Sequence, residues 1–167
     1  MKGKLPGRLT RHLCAALVLA FWVVGCAQQG SGGTADVAEV VIELTNVDSV
    51  AWVVTRAEGA QGVAKLDVQN PVVTLTVGTR YRFVNHGTLA IHPFAIRGVS
   101  GEPVLGQRPD DRPFEQDPKV AFEADDEGVT FTLTAALAEV VKTYYCTAHP
   151  TPLMEGELEL RTPSATL

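Results

Sequence analysis

Near the end of this 167-residue chain, a thiol, an imidazole and a thioether fall within nine residues: Cys146, His149 and Met154, spaced Cys-x2-His-x4-Met. The stretch Tyr144-Tyr145-Cys146-Thr147-Ala148-His149-Pro150-Thr151-Pro152-Leu153-Met154-Glu155-Gly156 reads as a loop between two strands. A loop of this size can turn all three side chains towards one point. A thiolate, two imidazoles and a long, weak thioether contact make up the ligand set of a blue-copper electron-transfer site. The loop supplies a single imidazole, so the second has to come from elsewhere. His92, in Leu89-Ala90-Ile91-His92-Pro93-Phe94, is the candidate, with His86 in Asn85-His86-Gly87-Thr88 as its rival. The rival stretch reads as a turn.

Few residues of these types are present. Besides Met1, Met154 is the one methionine, and the four histidines are His12, His86, His92 and His149. The three cysteines are Cys14, Cys26 and Cys146. A lone cysteine is more often a small buried hydrophobe, and a lone histidine or methionine is more often structural. Here the three types arrive together at ligand spacing.

The elements that position them are strands. Val37 to Thr45 alternates, with Ala38, Val40, Ile42 and Leu44 on one side, as a half-buried strand does. Ala51 to Thr55 follows, then a turn at Glu58-Gly59-Ala60-Gln61-Gly62. Val63 to Val68 and Val72 to Val77 read as strands on either side of Asn70-Pro71. Thr79 to Asn85 alternates, with Tyr81 and Phe83 inward, and Ile91 to Arg97 is a strand beginning at His92. Gly98 to Pro118 is polar and proline-bearing, with room for a short helix. Val120 to Ala124 and Val129 to Thr134 are strands, and Thr134 caps one helical turn to Glu139. Val140 to Tyr145 leads into the loop and Glu157 to Arg161 leads out. Seven or eight short strands without a long amphipathic helix predict an all-β sandwich with Greek-key connections. The pattern alone equally admits an immunoglobulin-like sandwich.

The amino terminus is read separately. Lys2, Lys4, Arg8 and Arg11 form a basic segment ahead of an apolar run from Leu13 to Val24. That run is too short to span a bilayer and reads as a signal peptide, residues 1–25. The small residue and thiol of Val23-Val24-Gly25-Cys26 resemble the lipobox of bacterial lipoproteins, which implies cleavage before Cys26 and a lipid on its sulfur. The alternative is an ordinary secretory signal with an incidental Cys26. Residues 26–36, rich in glycine and glutamine, suit a flexible tether. Loss of both Cys14 and a free Cys26 leaves Cys146 alone in the folded domain, so no disulfide can form there. Without residues 1–25 the chain carries ten basic and nineteen acidic side chains, a net charge of −9. That balance keeps a small domain soluble and excludes nucleic acid as partner. Asp110-Asp111 and Asp125-Asp126-Glu127 are either solvated loops or docking points for a basic partner.

The Cys-x2-His-x4-Met loop with an upstream histidine resembles the cupredoxins, the plastocyanin and azurin group of type 1 copper proteins. In style it is similar to membrane-tethered halocyanin-like members, over residues 37–162, with 163–167 as a tail. The resemblance implies a cupredoxin-type sandwich holding one copper on His92, Cys146, His149 and Met154. His149 would be the exposed ligand through which electrons pass, rimmed by Pro150, Pro152 and Leu153. It further implies a monomeric electron carrier and not an enzyme. The protein would be lipid-anchored on the periplasmic or extracellular side of a membrane, serving redox partners such as cytochromes or a terminal oxidase. A copper carrier delivering metal to an oxidase and a non-redox binding sandwich are the rival readings. One position departs from the family: many cupredoxins follow the first histidine with asparagine or serine, whose backbone N–H bonds the sulfur. Pro93 has no N–H to give, so another amide replaces it or the sulfur accepts one bond fewer.

Overall fold

The alternation around residue 40 does what period two dictates. Val40, Ile42 and Leu44 are buried, while Val41 and Glu43 are only partly covered. This first strand, β1 (Val40–Val47), forms a hairpin with β2 (Ala51–Glu58). A computed structural model describes residues 38–149 and 153–163. The predicted signal, the tether and Cys26 lie outside the described residues, as do Pro150 and Pro152 and most of the tail.

The described residues form an all-β sandwich of two five-stranded sheets. One sheet has the order β2, β1, β4 (Arg80–Asn85), β8 (Gly128–Thr132), β7 (Glu123–Asp125). The other runs β3 (Val73–Thr76), β10 (Glu155–Arg161), β9 (Val141–Cys146), β5 (Phe94–Gly98), β6 (Pro103–Gly106). Both sheets are mixed, because β1 runs parallel to β4 and β10 parallel to β3. The single helical turn, α1 (Ala135–Ala138), has Thr134 as its N-cap, accepting from the Leu137 N–H.

Between the sheets the aromatic rings interlock. Phe83 of the first sheet stacks on Phe94 of the second at 4.9 Å, and Phe131 lies parallel to Phe83 at 6.0 Å. Trp52, Tyr81, Phe83, Phe94, Phe131 and Tyr144 are all less than 2% exposed or at that limit. Burial of each such ring contributes about 2–3 kcal/mol. These are the contacts that keep the strand ends in register.

Three expectations are corrected. Among the described residues there are ten strands where seven or eight were expected. Residues 63–68 are not a strand: Asp67 adopts φ 56°, and the segment meets neighbouring strands through isolated bridges at Ala64 and Gln69 and single hydrogen bonds such as Asp67 N–H to the Val54 carbonyl. The apolar run misled there, because Lys65 to Asp67 turn outward while Val63 alone is buried. The strand expected from Ile91 begins at Phe94 instead, because the Ile91 and His92 N–H groups donate to the Thr88 carbonyl in a turn and Pro93 has none to give.

The polar region after Gly98 holds β6 in place of a helix. It is shaped by the buried Glu115, whose carboxylate accepts from the N–H groups of Gly106, Asp110 and Arg112 and from the Arg112 guanidinium at 2.6 Å. No sequence signal marked this carboxylate as a loop organiser.

One acidic residue gives the fold a pH dependence. Asp125 is held below its ordinary value by the Arg82 guanidinium, at 2.7 and 2.9 Å, helped by the Glu127 and Gly128 N–H groups. A carboxyl depressed in the folded state adds stability above its unfolded value and loses it as pH falls through the folded one. Urea unfolding of Asp125→Asn is therefore expected to flatten the stability loss below about pH 4. The effect is modest, because the carboxylate is 56% exposed and solvent screens the pair. An unchanged acid limb would count against this pairing.

Candidate metal centre

Strand β9 pairs with β5 on one side and β10 on the other, and both ladders end at the same edge of the sandwich. Phe94 is the partner of Cys146 and Tyr145 the partner of Glu155. His92 therefore emerges just past the end of β5, and Met154 just before β10, on either side of Cys146. Two backbone bonds fasten the junctions: Thr147 N–H donates to the Pro93 carbonyl and Cys146 N–H to the Met154 carbonyl, both at 3.0 Å.

This brings His92, Cys146 and His149 together, with their ligand atoms all within 4.8 Å of one another. Cys146 Sγ lies 3.4 Å from His149 Nδ1 and 3.9 Å from His92 Nδ1. The two imidazole centres are 4.8 Å apart, with the rings tilted by 32°. Cys146 and Met154 are fully buried, His92 is buried and His149 is half-buried. No other group of three such side chains forms among the described residues. The rival His86 is exposed and points its Nε2 at Glu43, 3.1 Å away.

The donor set is two neutral-capable nitrogens and one sulfur, without a carboxylate, in an apolar setting. Such a set fits a borderline or soft metal ion. Burial, and then the neighbouring His149, lower the His92 value, which favours the neutral ring that can offer a lone pair. Burial raises the Cys146 thiol, so an incoming metal must displace its proton. The N–H groups of Ala148 and His149 and the charge of Arg108 oppose that rise by favouring the thiolate. The amides beside the sulfur thus come from the loop after Cys146, at a point where Pro93 offers none.

Around the cluster sit residues that sequence reasoning missed. Trp52 meets the His92 ring edge-on at 6.2 Å, walling the site from the core. Asn46 Nδ2 lies 3.2 Å from His92 Nε2. Buried Asn85 donates to the His92 carbonyl and to Gln107 Oε1, each at 2.7 Å. Gln107 Oε1 also accepts from the Phe94 N–H, while its Nε2 donates to the Asp125 and Asp126 carbonyls. The two amides therefore clamp the backbone on both sides of Pro93. Asn85 alone left a trace in the sequence, as the polar start of the Asn85-His86-Gly87 turn.

A chain that forms an all-β sandwich with a buried His-Cys-His cluster at one end is thereby defined as a candidate metal-binding sandwich. No family model matches this chain, and none of the curated proteins matches it.

Proposed function

We propose that this protein is a membrane-anchored blue-copper protein that carries single electrons between redox partners outside the cytoplasm. The observation that carries the reading is the buried His92–Cys146–His149 cluster at the fastened ends of β5 and β9. When bound, copper would supply one-electron chemistry between Cu(I) and Cu(II). His92, Cys146 and His149 would hold it, with Met154 as the weak fourth donor. The packed strand ends limit how far these side chains can move, which keeps reorganisation small. His149, the half-buried ligand, would be the contact for partners, and Leu153 and Ile91 are also exposed. Cytochromes or a terminal oxidase are partners of the expected kind.

The deciding experiment is a visible spectrum of the purified protein after adding Cu(II). An intense blue thiolate-to-copper band that vanishes on mild reduction supports the reading. A colourless protein that binds no copper overturns it, and copper bound without the band favours the metal-carrier reading.

Anchoring rests on Cys26 and has its own test. In a bacterial host, Cys26→Ala is expected to move the protein from the membrane fraction to the soluble exported fraction. The wild-type amino-terminal peptide should carry the mass of a diacylglycerol group. Membrane retention of the variant would remove the anchor from the proposal while leaving the copper site intact.

A further inference from the structure

Asn70 joins the strap between β2 and β3 to the loop that carries Met154. Its backbone sits at φ 47°, a left-handed conformation that asparagine tolerates better than most side chains. Its N–H donates to the Trp52 carbonyl at 2.7 Å, and its Oδ1 accepts from the Trp52 N–H at 2.9 Å. The other end of the amide, Nδ2, donates to the Leu153 carbonyl at 2.6 Å. A backbone N–H at one end and a carbonyl at the other leave the amide a single orientation. The strap is held without that last bond. Asp67 N–H donates to the Val54 carbonyl, Thr74 N–H to the Val63 carbonyl, and the Tyr144 hydroxyl to the Pro71 carbonyl. The Nδ2 bond therefore serves the loop and not the strap.

Met154 is thereby fastened at both of its peptide units. Its own carbonyl accepts from the Cys146 N–H at 3.0 Å, and the carbonyl ahead of it, on Leu153, accepts from Asn70. Its side chain is fully buried, although Leu153 beside it is exposed. Pro150 and Pro152 take two N–H donors out of this loop, which leaves it fewer bonds of its own. We infer that Asn70 is a positioning residue for Met154: by tying Leu153 to a strap docked on both sheets, it sets how closely the thioether can approach a metal ion. The inference rests on the reading that His92, Cys146 and His149 hold copper, with Met154 as the weak fourth donor. A long axial contact is soft, so small backbone shifts change its strength and with it the potential. Weaker thioether donation costs Cu(II), the more electron-demanding state, more than Cu(I), and so raises the potential.

Two substitutions that keep the left-handed backbone separate the bonds. Asn70→Asp retains the acceptor for the Trp52 N–H but cannot donate to Leu153. Asn70→Gly removes both side-chain bonds and adds no charge. The first readout is the carbon-13 methyl spectrum of the full chain in detergent, without metal and with diamagnetic Cu(I). Besides Met1, Met154 is the one methionine, so its signal stands apart. Both variants should displace and broaden that signal. Asn70→Asp should meanwhile keep the Trp52 N–H protected from hydrogen exchange, and Asn70→Gly should not. The second readout is the redox potential. Asn70→Gly should raise it, with the ratio of Cu(I) to Cu(II) affinity up by roughly three- to tenfold, the worth of about one hydrogen bond. In a Met154→Leu background, which has no thioether, the same substitution should leave the potential unmoved. If the glycine variant misfolds, Asn70→Asp still carries the methyl readout. A wild-type Met154 signal in both variants would overturn the inference, and so would an unmoved potential in Asn70→Gly. A shift in potential that survives in the Met154→Leu background overturns it too, because it would not pass through the thioether. If the wild type binds no copper, the copper reading fails and the metal half of the inference with it. The methyl spectra would still decide whether Asn70 holds Met154.

Discussion

On the proposed copper reading, Cys146→Ala is expected to abolish the blue absorption completely and to weaken copper binding far beyond the roughly 10–100-fold that loss of an outer partner costs. The sulfur is the only thiol among the described residues and lies 3.4 and 3.9 Å from the two imidazole nitrogens. Without it, two imidazoles and one thioether remain, a set with no anionic donor. The fold should survive. The side chain is fully buried but small, and losing its sulfur costs about 1–2 kcal/mol of packing. Competition titration with a copper chelator measures the first effect and urea unfolding of metal-free protein the second. A variant that keeps wild-type copper affinity would remove Cys146 from the site.

The largest expected effect on stability belongs to Gly156→Ala. Gly156 faces Tyr144 across the β9–β10 ladder, and an ideal Cβ there would stand 2.2 Å from the Tyr144 Cζ and Oη. Its φ lies outside the left-handed region, so the cost is purely steric. The ring cannot simply swing away: it is fully buried, stacks with Phe94, and donates its hydroxyl proton to the Pro71 carbonyl at 2.6 Å. Overpacking costs about 1–3 kcal/mol, and orphaning a buried acceptor adds about 1–3 kcal/mol. A loss of about 2–6 kcal/mol follows, read as a fall in the urea midpoint. Tyr144→Phe alone should cost only about 1–2 kcal/mol, the hydroxyl's share. Combining the two should cost less than the sum, because they share one clash. Tyr144 lies two residues before Cys146 and Gly156 two after Met154, so the same variant should also loosen the metal loop. A Gly156→Ala protein as stable as wild type would show that the ladder yields freely here.

Much of this was legible in the sequence, for identifiable reasons. Alternation exposed β1 and β4, whose Ile42, Leu44, Tyr81 and Phe83 all face the core. The same rule failed at residues 63–68, where an apolar run carries a left-handed Asp67 that no periodicity encodes. Cys146 and His149 were readable from their spacing because one short loop holds both. His92 could be chosen over His86 only by analogy. The structure separates them by sending His86 to Glu43. Asn46 and Gln107 were not readable at all, and Asn85 only as the polar start of a turn. An amide's partner is fixed by where distant strands close, and Gln107 bonds residues 13 to 22 positions away on other elements. Pro93 was read correctly as a missing donor, yet the compensating Ala148 and His149 amides depend on loop curvature.

The 54-residue interval between His92 and Cys146 bears on how this protein matures. In an extended nascent chain those two side chains are far apart, and the cluster does not exist until β5 and β9 have paired. On the proposed metal-binding reading, metal would be acquired by the finished sandwich and not by the unfolded chain. An ion that recognises only the finished form also protects it, by about 2.7 kcal/mol when present at a hundred times its dissociation constant. Scarcity of metal would then be registered twice, as an empty site and as a fold more readily cleared by proteases.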